Sequence, residues 1–249
     1  MGTDDALVAE EVTVAFAGVK ALDGVTFVCR PGEIVGLIGP NGSGKTTLLN
    51  VLSGFLEPAA GVVRFRGGAT RGWSPQQYAR RGLARTFQGV RPFAQLTVRE
   101  NIEVGAVGVG ASRREARERA SDLLDELGLT ELAGTWAGIL PAGSQRRLGI
   151  ARALAAEPDF LLLDEPAAGL HEAETDAVID FIGSLRETRR IGVTLVEHDM
   201  RVVMRLCERV QVLDNGITLA EGAPAEIRTN ERVLEAYLGT GSVGRAGGS

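Results

Sequence analysis

Eight consecutive residues, Gly39-Pro40-Asn41-Gly42-Ser43-Gly44-Lys45-Thr46, place glycines, a lysine and a hydroxyl at the spacing G-x-x-x-x-G-K-[ST]. Glycines at these positions let the backbone turn tightly, so that successive N–H groups converge on phosphate oxygens. Lys45 would reach the terminal phosphates of a nucleotide. The Thr46 hydroxyl would ligate Mg2+, and Thr47 would extend the set of phosphate contacts. Lys20 and Lys45 are the only lysines among 27 basic residues. A lysine at this position therefore runs against the chain's strong use of arginine.

A second set of groups ends an apolar run, Leu161-Leu162-Leu163-Asp164-Glu165. A buried strand that ends in two carboxylates puts both at the C-terminal edge of an α/β sheet, where ligands bind. Asp164 would hold Mg2+ and Glu165 would act as general base toward water, a role worth roughly 10²–10⁴ in rate. His198 follows Val193-Thr194-Leu195-Val196-Glu197 and falls at the same edge, within reach of a γ-phosphate. Gln88, after Arg85-Thr86-Phe87, offers an amide to Mg2+ or to the attacking water. An exposed glutamine or a loop histidine would read the same way if it stood alone.

The elements that must carry these groups alternate between strand and helix. Glu33 to Ile38 reads as a buried strand before the glycine loop, and Thr47 to Leu52 as a helix whose N-terminal dipole favours an anion. Val12, Val14 and Phe16 alternate as in a half-buried strand, and Gly24–Cys29 and Gly61–Arg66 read as further strands. A mostly helical region runs from about 91 to 156. Three apolar strands follow, Phe160–Leu163, Val193–Val196 and Val210–Leu213, separated by helices. Such strands imply a parallel sheet covered on both faces. Residues 1–240 therefore read as one domain, and the Gly/Ser-rich stretch 241–249 as a flexible tail.

Composition narrows the function classes. Apolar content of 44% and charged content of 24% suit a globular chain. Net charge is −5 with no basic block, which argues against a nucleic-acid partner. Arg113 to Arg119 interleaves acids at helical spacing and reads as a solvated helix face. Cys29 and Cys207 form no C-x-x-C pair and read as free thiols in a reducing compartment. Met1-Gly2-Thr3-Asp4-Asp5 is acidic where a signal peptide is cationic. No apolar run approaches the ~18 residues of a membrane span.

The glycine loop, Gln88, Leu140-Pro141-Ala142-Gly143-Ser144-Gln145-Arg146-Arg147, Asp164-Glu165, Gly169-Leu170-His171 and His198 occur in an order that resembles the ATP-binding subunit of an ABC transporter. The resemblance covers nearly all of residues 7–240. Arg85-Thr86-Phe87-Gln88, Val196-Glu197-His198-Asp199-Met200 and Leu234-Glu235-Ala236-Tyr237-Leu238-Gly239 look most like the ATPases of branched-chain amino-acid importers. It implies a P-loop NTPase core with a mostly parallel sheet, an N-terminal antiparallel β subdomain and a helical subdomain insertion. It also implies that Phe16 stacks on adenine, although Phe16 equally continues the alternation of Val12 and Val14. Gln88 would link the site to a membrane subunit, and residues 140–145 would complete the ATP site of a second subunit.

The implied cofactors are ATP and Mg2+. The implied partners are a second ATPase subunit, identical or paralogous, membrane permeases, and through them an extracytoplasmic substrate-binding protein. The implied location is the cytoplasmic face of a membrane. The chain departs from the family in the usual Leu-Ser-Gly-Gly-Gln. Pro141 stands in place of the serine and lacks both hydroxyl and N–H. Loss of a charge-assisted hydrogen bond costs about 1.5–3 kcal/mol, so the composite site is expected to be weakened. Gly143 keeps its N–H, and Ser144 is a candidate to compensate. The D-loop carries His171 where many members have Asp. Three alternatives stay open: the ATPase of a lipid or lipopolysaccharide exporter, a weakly hydrolysing subunit paired with an active paralogue, and a non-transport ABC protein acting on ribosomes or DNA.

Overall fold

The computed structural model describes residues 5–89 and 92–239. The expected tail from 241 onward lies outside them. In chain order the elements are β1 (Leu7–Phe16), β2 (Val19–Cys29), β3 (Ile34–Ile38), α1 (Lys45–Leu52), β4 (Ala60–Phe65), β5 (Gly68–Ala69), α2 (Pro75–Arg80), β6 (Leu83–Arg85), α3 (Val98–Gly108) and α4 (Arg113–Glu126). They continue with α5 (Ala142–Leu154), β7 (Phe160–Asp164), α6 (Glu172–Arg189), β8 (Gly192–Val196), α7 (Met200–Leu206), β9 (Arg209–Asp214), β10 (Ile217–Gly222), α8 (Pro224–Thr229) and α9 (Glu231–Gly239). The contacts divide the chain into two compact units, residues up to 72 together with 194 onward, and residues 73–193.

The first unit contains an antiparallel sheet in the order β2-β1-β4-β5. Alternation is partial here: Val12 and Val14 of β1 and Val25 and Phe27 of β2 are buried at a period of two, whereas Leu7, Val8 and Ala9 are buried in succession. The same unit pairs β3 with β9 in parallel, Val35 opposite Arg209 and Ile38 opposite Val212, and β9 with β10 antiparallel. Every residue of β3 is buried. That is why it reads as a continuous apolar run rather than an alternating one. Arg209 ties β9 to its neighbours through Glu33 Oε1 at 3.0 Å and Glu221 Oε1 at 2.6 Å. Cys29 and Cys207 are free and buried, as expected.

The second unit pairs β6 with β7 in parallel, Leu83 opposite Phe160 and Arg85 opposite Leu162. Helices α2 to α6 belong to the same unit, and α2 and α5 pack on β6. Three helices begin with reciprocal capping boxes: Ser74 with Gln77, Thr97 with Glu100, and Ser112 with Glu115. Each box satisfies two N–H groups that a helix start would otherwise leave open. α3, α4 and α5 bury Val98, Ile102, Ala116, Ala120, Leu123, Leu148 and Ile150. The charged run 113–119 does face solvent in part, with Arg114 paired to Glu118. Arg119 departs from that expectation and donates to the Ala155 carbonyl at 3.0 Å. The strand β8 straddles the boundary between the units and is buried throughout.

Candidate functional site

The glycine loop joins β3 to α1. Gly39, Gly42 and Gly44 have φ of +147°, +79° and +107°, in the region that side chains rarely adopt. At Gly39 a Cβ would stand 2.0 Å from the Leu213 carbonyl oxygen. Lys45 is 7% exposed, and its ammonium folds back on its own loop. It donates to the carbonyls of Gly39 at 2.7 Å and Pro40 at 2.8 Å. A buried ammonium needs acceptors, and here the loop itself supplies them. α1 starts without a side-chain cap. Its first N–H groups are therefore left to other partners, which suits an anion. Thr46, in that first turn, is exposed.

Three further groups belong to the same unit. Phe16 is 52% exposed at the end of β1, while Val12 and Val14 are buried. The alternation therefore does not continue into Phe16, and its ring is not part of the core. His198 is exposed just after β8, and its backbone N–H donates to the Glu197 carboxylate at 3.2 Å. Sequence reasoning missed Tyr237 on α9. Burial pushes its hydroxyl above its ordinary pKa, and the Gly39 amide, donating to it, works the other way. These residues are nearly 200 positions apart in sequence, and no local signal pairs them.

In the second unit, β7 delivers Asp164 and Glu165. Asp164 is 4% exposed. Its backbone N–H donates to Thr86 Oγ1 at 3.2 Å, and its carboxylate accepts from Arg85 Nη2 at 3.4 Å. Glu165 has φ +51°, a left-handed conformation that is costly for a residue with a Cβ and recurs at functional sites. Its Oε2 accepts from Gln88 Nε2 at 3.1 Å. The structure thus brings together Gln88, Asp164 and Glu165, and adds Arg85. The sequence did carry a signal for Arg85: a charged residue closing the short apolar strand Leu83-Ala84-Arg85.

The segment 140–147 forms the start of α5. Pro141 is its N-cap, with φ −58° and ψ 154° and no side-chain cap bond. Ser144 is 6% exposed, and its hydroxyl accepts from Arg147 Nη2 at 3.2 Å. The hydroxyl proposed to compensate for Pro141 is thus engaged inside its own helix. Gln145 donates through Nε2 to the Leu140 carbonyl at 2.9 Å. At Gly143 an added Cβ would meet Glu174 Oε1 at 2.1 Å. Glu174 in turn accepts from the His171 N–H at 3.2 Å. One carboxylate therefore touches both the start of α5 and the N-cap of α6.

In the second unit the Gln88 amide and the Asp164 carboxylate carry oxygen donors of the kind a hard divalent cation such as Mg2+ takes, and in the first unit the Thr46 hydroxyl is another. Among the described residues no group of three or more His, Cys, Asp or Glu is placed to hold a metal ion.

The profile of the family "ABC transporter" matches residues 22–168, and that of "Branched-chain amino acid ATP-binding cassette transporter" matches residues 218–243. The chain is 41% identical over 243 residues to the high-affinity branched-chain amino acid transport ATP-binding protein BraF of Pseudomonas aeruginosa, covering 92% of this chain and 95% of BraF. It is 43% identical over 239 residues to LivG of Escherichia coli, covering 90% and 94%. A solved ATP-binding cassette of an ABC transporter in its ADP conformation superposes with a TM-score of 0.85 at 30% identity, covering 94% of this chain and 99% of that one. Motifs, fold and relatives coincide along almost the whole length: the chain belongs to the ABC transporter family, among its ATP-binding subunits.

Proposed function

We propose that this chain hydrolyses ATP and thereby drives an importer of branched-chain or related amino acids. The observation that carries the enzymatic part is the Gln88–Glu165 hydrogen bond at the end of β7, on a glutamate held in a left-handed backbone. The match at 218–243 supports the importer assignment.

In this reading the loop 39–47 binds the phosphates, with Gly39, Pro40, Asn41, Gly42, Ser43 and Gly44 giving backbone and Lys45 giving charge. A phosphate competes with two loop carbonyls for the ammonium. Phe16 stacks on adenine. Thr46, Gln88 and Asp164 hold Mg2+, which when bound neutralises charge on the transferring phosphoryl group. Glu165 polarises the attacking water, and His198 donates to the γ-phosphate. Gly143, Ser144 and Gln145 on α5 belong to the site completed in a second ATPase subunit. Pro141, without hydroxyl or N–H, favours a second reading in which that completed site turns over slowly and an active paralogue carries the cycle.

The permease meets the second unit. Phe87, Phe93, Trp136 and Ile139 are 46%, 49%, 55% and 74% exposed. The last three lie on adjoining segments, since Gly138 donates to Ala94 and Ala137 to Leu96. A cluster of exposed apolar side chains marks a protein interface. No helix of the described residues is long and apolar enough to cross a membrane, and we place the chain at the cytoplasmic face through its permeases.

The test is purification with membrane partners, reconstitution in vesicles, and ATP turnover with and without an amino-acid-loaded binding protein. Stimulation by the loaded binding protein is expected. Failure to co-purify any permease, or turnover indifferent to the permease, overturns the transport reading.

A further inference from the structure

Arg85 is the last residue of β6, and its side chain is 4% exposed. Burying a guanidinium is costly unless it is paired, so its position must be explained by what it meets. Two of its neighbours bear on this. One is the Asp164 carboxylate, itself 5% exposed, at 3.4 Å. The other is the ring of Phe87, whose centroid lies 4.8 Å from the guanidinium carbon. Burial lowers the arginine's pKa, and the charge and hydrogen bond of Asp164 work against that lowering.

The contact is long. A tight charge-assisted pair closes to about 2.7–2.9 Å, whereas this one stands at 3.4 Å. The buried pair is therefore looser than a tight charge-assisted bond. Two other rungs join the same two segments: Asp164 N–H to Thr86 Oγ1, and Gln88 Nε2 to Glu165 Oε2. Residues 85, 86 and 88 therefore grip 164 and 165, and Arg85 is the charged rung.

We infer that Arg85 is a positioning residue, a resident counter-cation of Asp164, which helps to hold that carboxylate in place when no metal is bound and tunes how strongly it takes Mg2+. This rests on the proposal that Asp164 is a metal ligand. Removal of the guanidinium leaves Asp164 a stronger ligand for Mg2+ and a costlier group to bury without it.

Two measurements test this. The first is Mg2+ titration of fluorescent ADP-analogue binding to the purified chain. Arg85→Gln should lower the half-saturating Mg2+ by about tenfold, the size of one adjacent charge's effect on a carboxylate, while Arg85→Lys stays near the parent. An unchanged or higher Mg2+ requirement in folded Arg85→Gln overturns the proposal. The second is thermal unfolding in EDTA. Arg85→Gln should lower Tm, and Asp164→Asn in the same chain should return most of the loss. Should Arg85→Gln alone not fold, Arg85→Gln/Asp164→Asn is compared with Asp164→Asn, and only a small difference is expected. An equal loss in both backgrounds means that the arginine merely packs, which overturns the proposal. Asp164→Asn alone separates the two ideas. If it keeps the parent's Mg2+ requirement, the metal-ligand reading falls. If it loses that requirement while Arg85→Gln changes neither readout, only the counter-cation falls.

Discussion

Gln88 Nε2 lies 3.1 Å from Glu165 Oε2, so the amide that precedes α3 holds the carboxylate that follows β7. Glu165→Gln replaces this acceptor with a second amide and removes the base. Turnover should fall by about 10²–10⁴, while nucleotide is retained and the ATP-bound dimer persists on gel filtration. Full turnover would take Glu165 out of the reaction.

Pro141 caps α5 without a side-chain bond. Pro141→Ser supplies both a hydroxyl and an N–H, and Pro141→Ala supplies the N–H alone. An N-cap serine should add about 1 kcal/mol to stability over alanine. If the partner's phosphate uses the hydroxyl, ATP turnover should rise in the order proline, alanine, serine. A serine variant that is more stable but no faster would place the limitation elsewhere.

The glycines of the phosphate loop separate two costs. Gly42→Ala meets nothing within 4 Å and carries only the strain of φ +79°, roughly 1–2 kcal/mol. Gly39→Ala has the same kind of strain and in addition drives a Cβ to 2.0 Å from a backbone oxygen. Denaturant unfolding should show Gly39→Ala as much the more damaging, with nucleotide affinity lost alongside. Equal stabilities for the two variants would contradict the described packing of Leu213 on the loop.

Burial, aided by Glu33, pushes the Cys29 thiol from 9.0 up to about 12. Burial, aided by Glu197 and Glu208, does the same for Cys207. Native protein at pH 8 should react with neither equivalent of a thiol reagent, and unfolded protein with both. The folded pKa lies above the unfolded one, so the folded state holds more protons at alkaline pH. The contribution to stability is complete below about pH 9 and is lost as pH rises toward 12. Cys29→Ser should flatten that alkaline decline.

The parts legible in the sequence are those where one chemical need sets a contiguous pattern. Gly39 to Thr46 must be glycines with one lysine and one hydroxyl in order, and Phe160 to Leu163 must be apolar because both faces are covered. Contacts made by folding were not legible. Arg85 and Asp164 are 79 residues apart, and the strand pairing alone brings them together. The Ser144 hydroxyl accepts from Arg147, three residues on, a contact that its place in the motif does not announce. Phe16 fits the alternation by position, yet the strand ends there and its ring is exposed.

The unit that carries the phosphate loop is built from the two ends of the chain, while residues 73–193 form the other unit without interruption. During synthesis the order of assembly follows from this division. At 5–20 residues per second, the ribosome delivers the returning segment on the order of ten seconds after the loop. Until then β3 lacks β9, and Gly39 lacks both Leu213 and Tyr237. The middle of the chain can be finished first, and the nascent phosphate loop waits for residues that have not yet been translated.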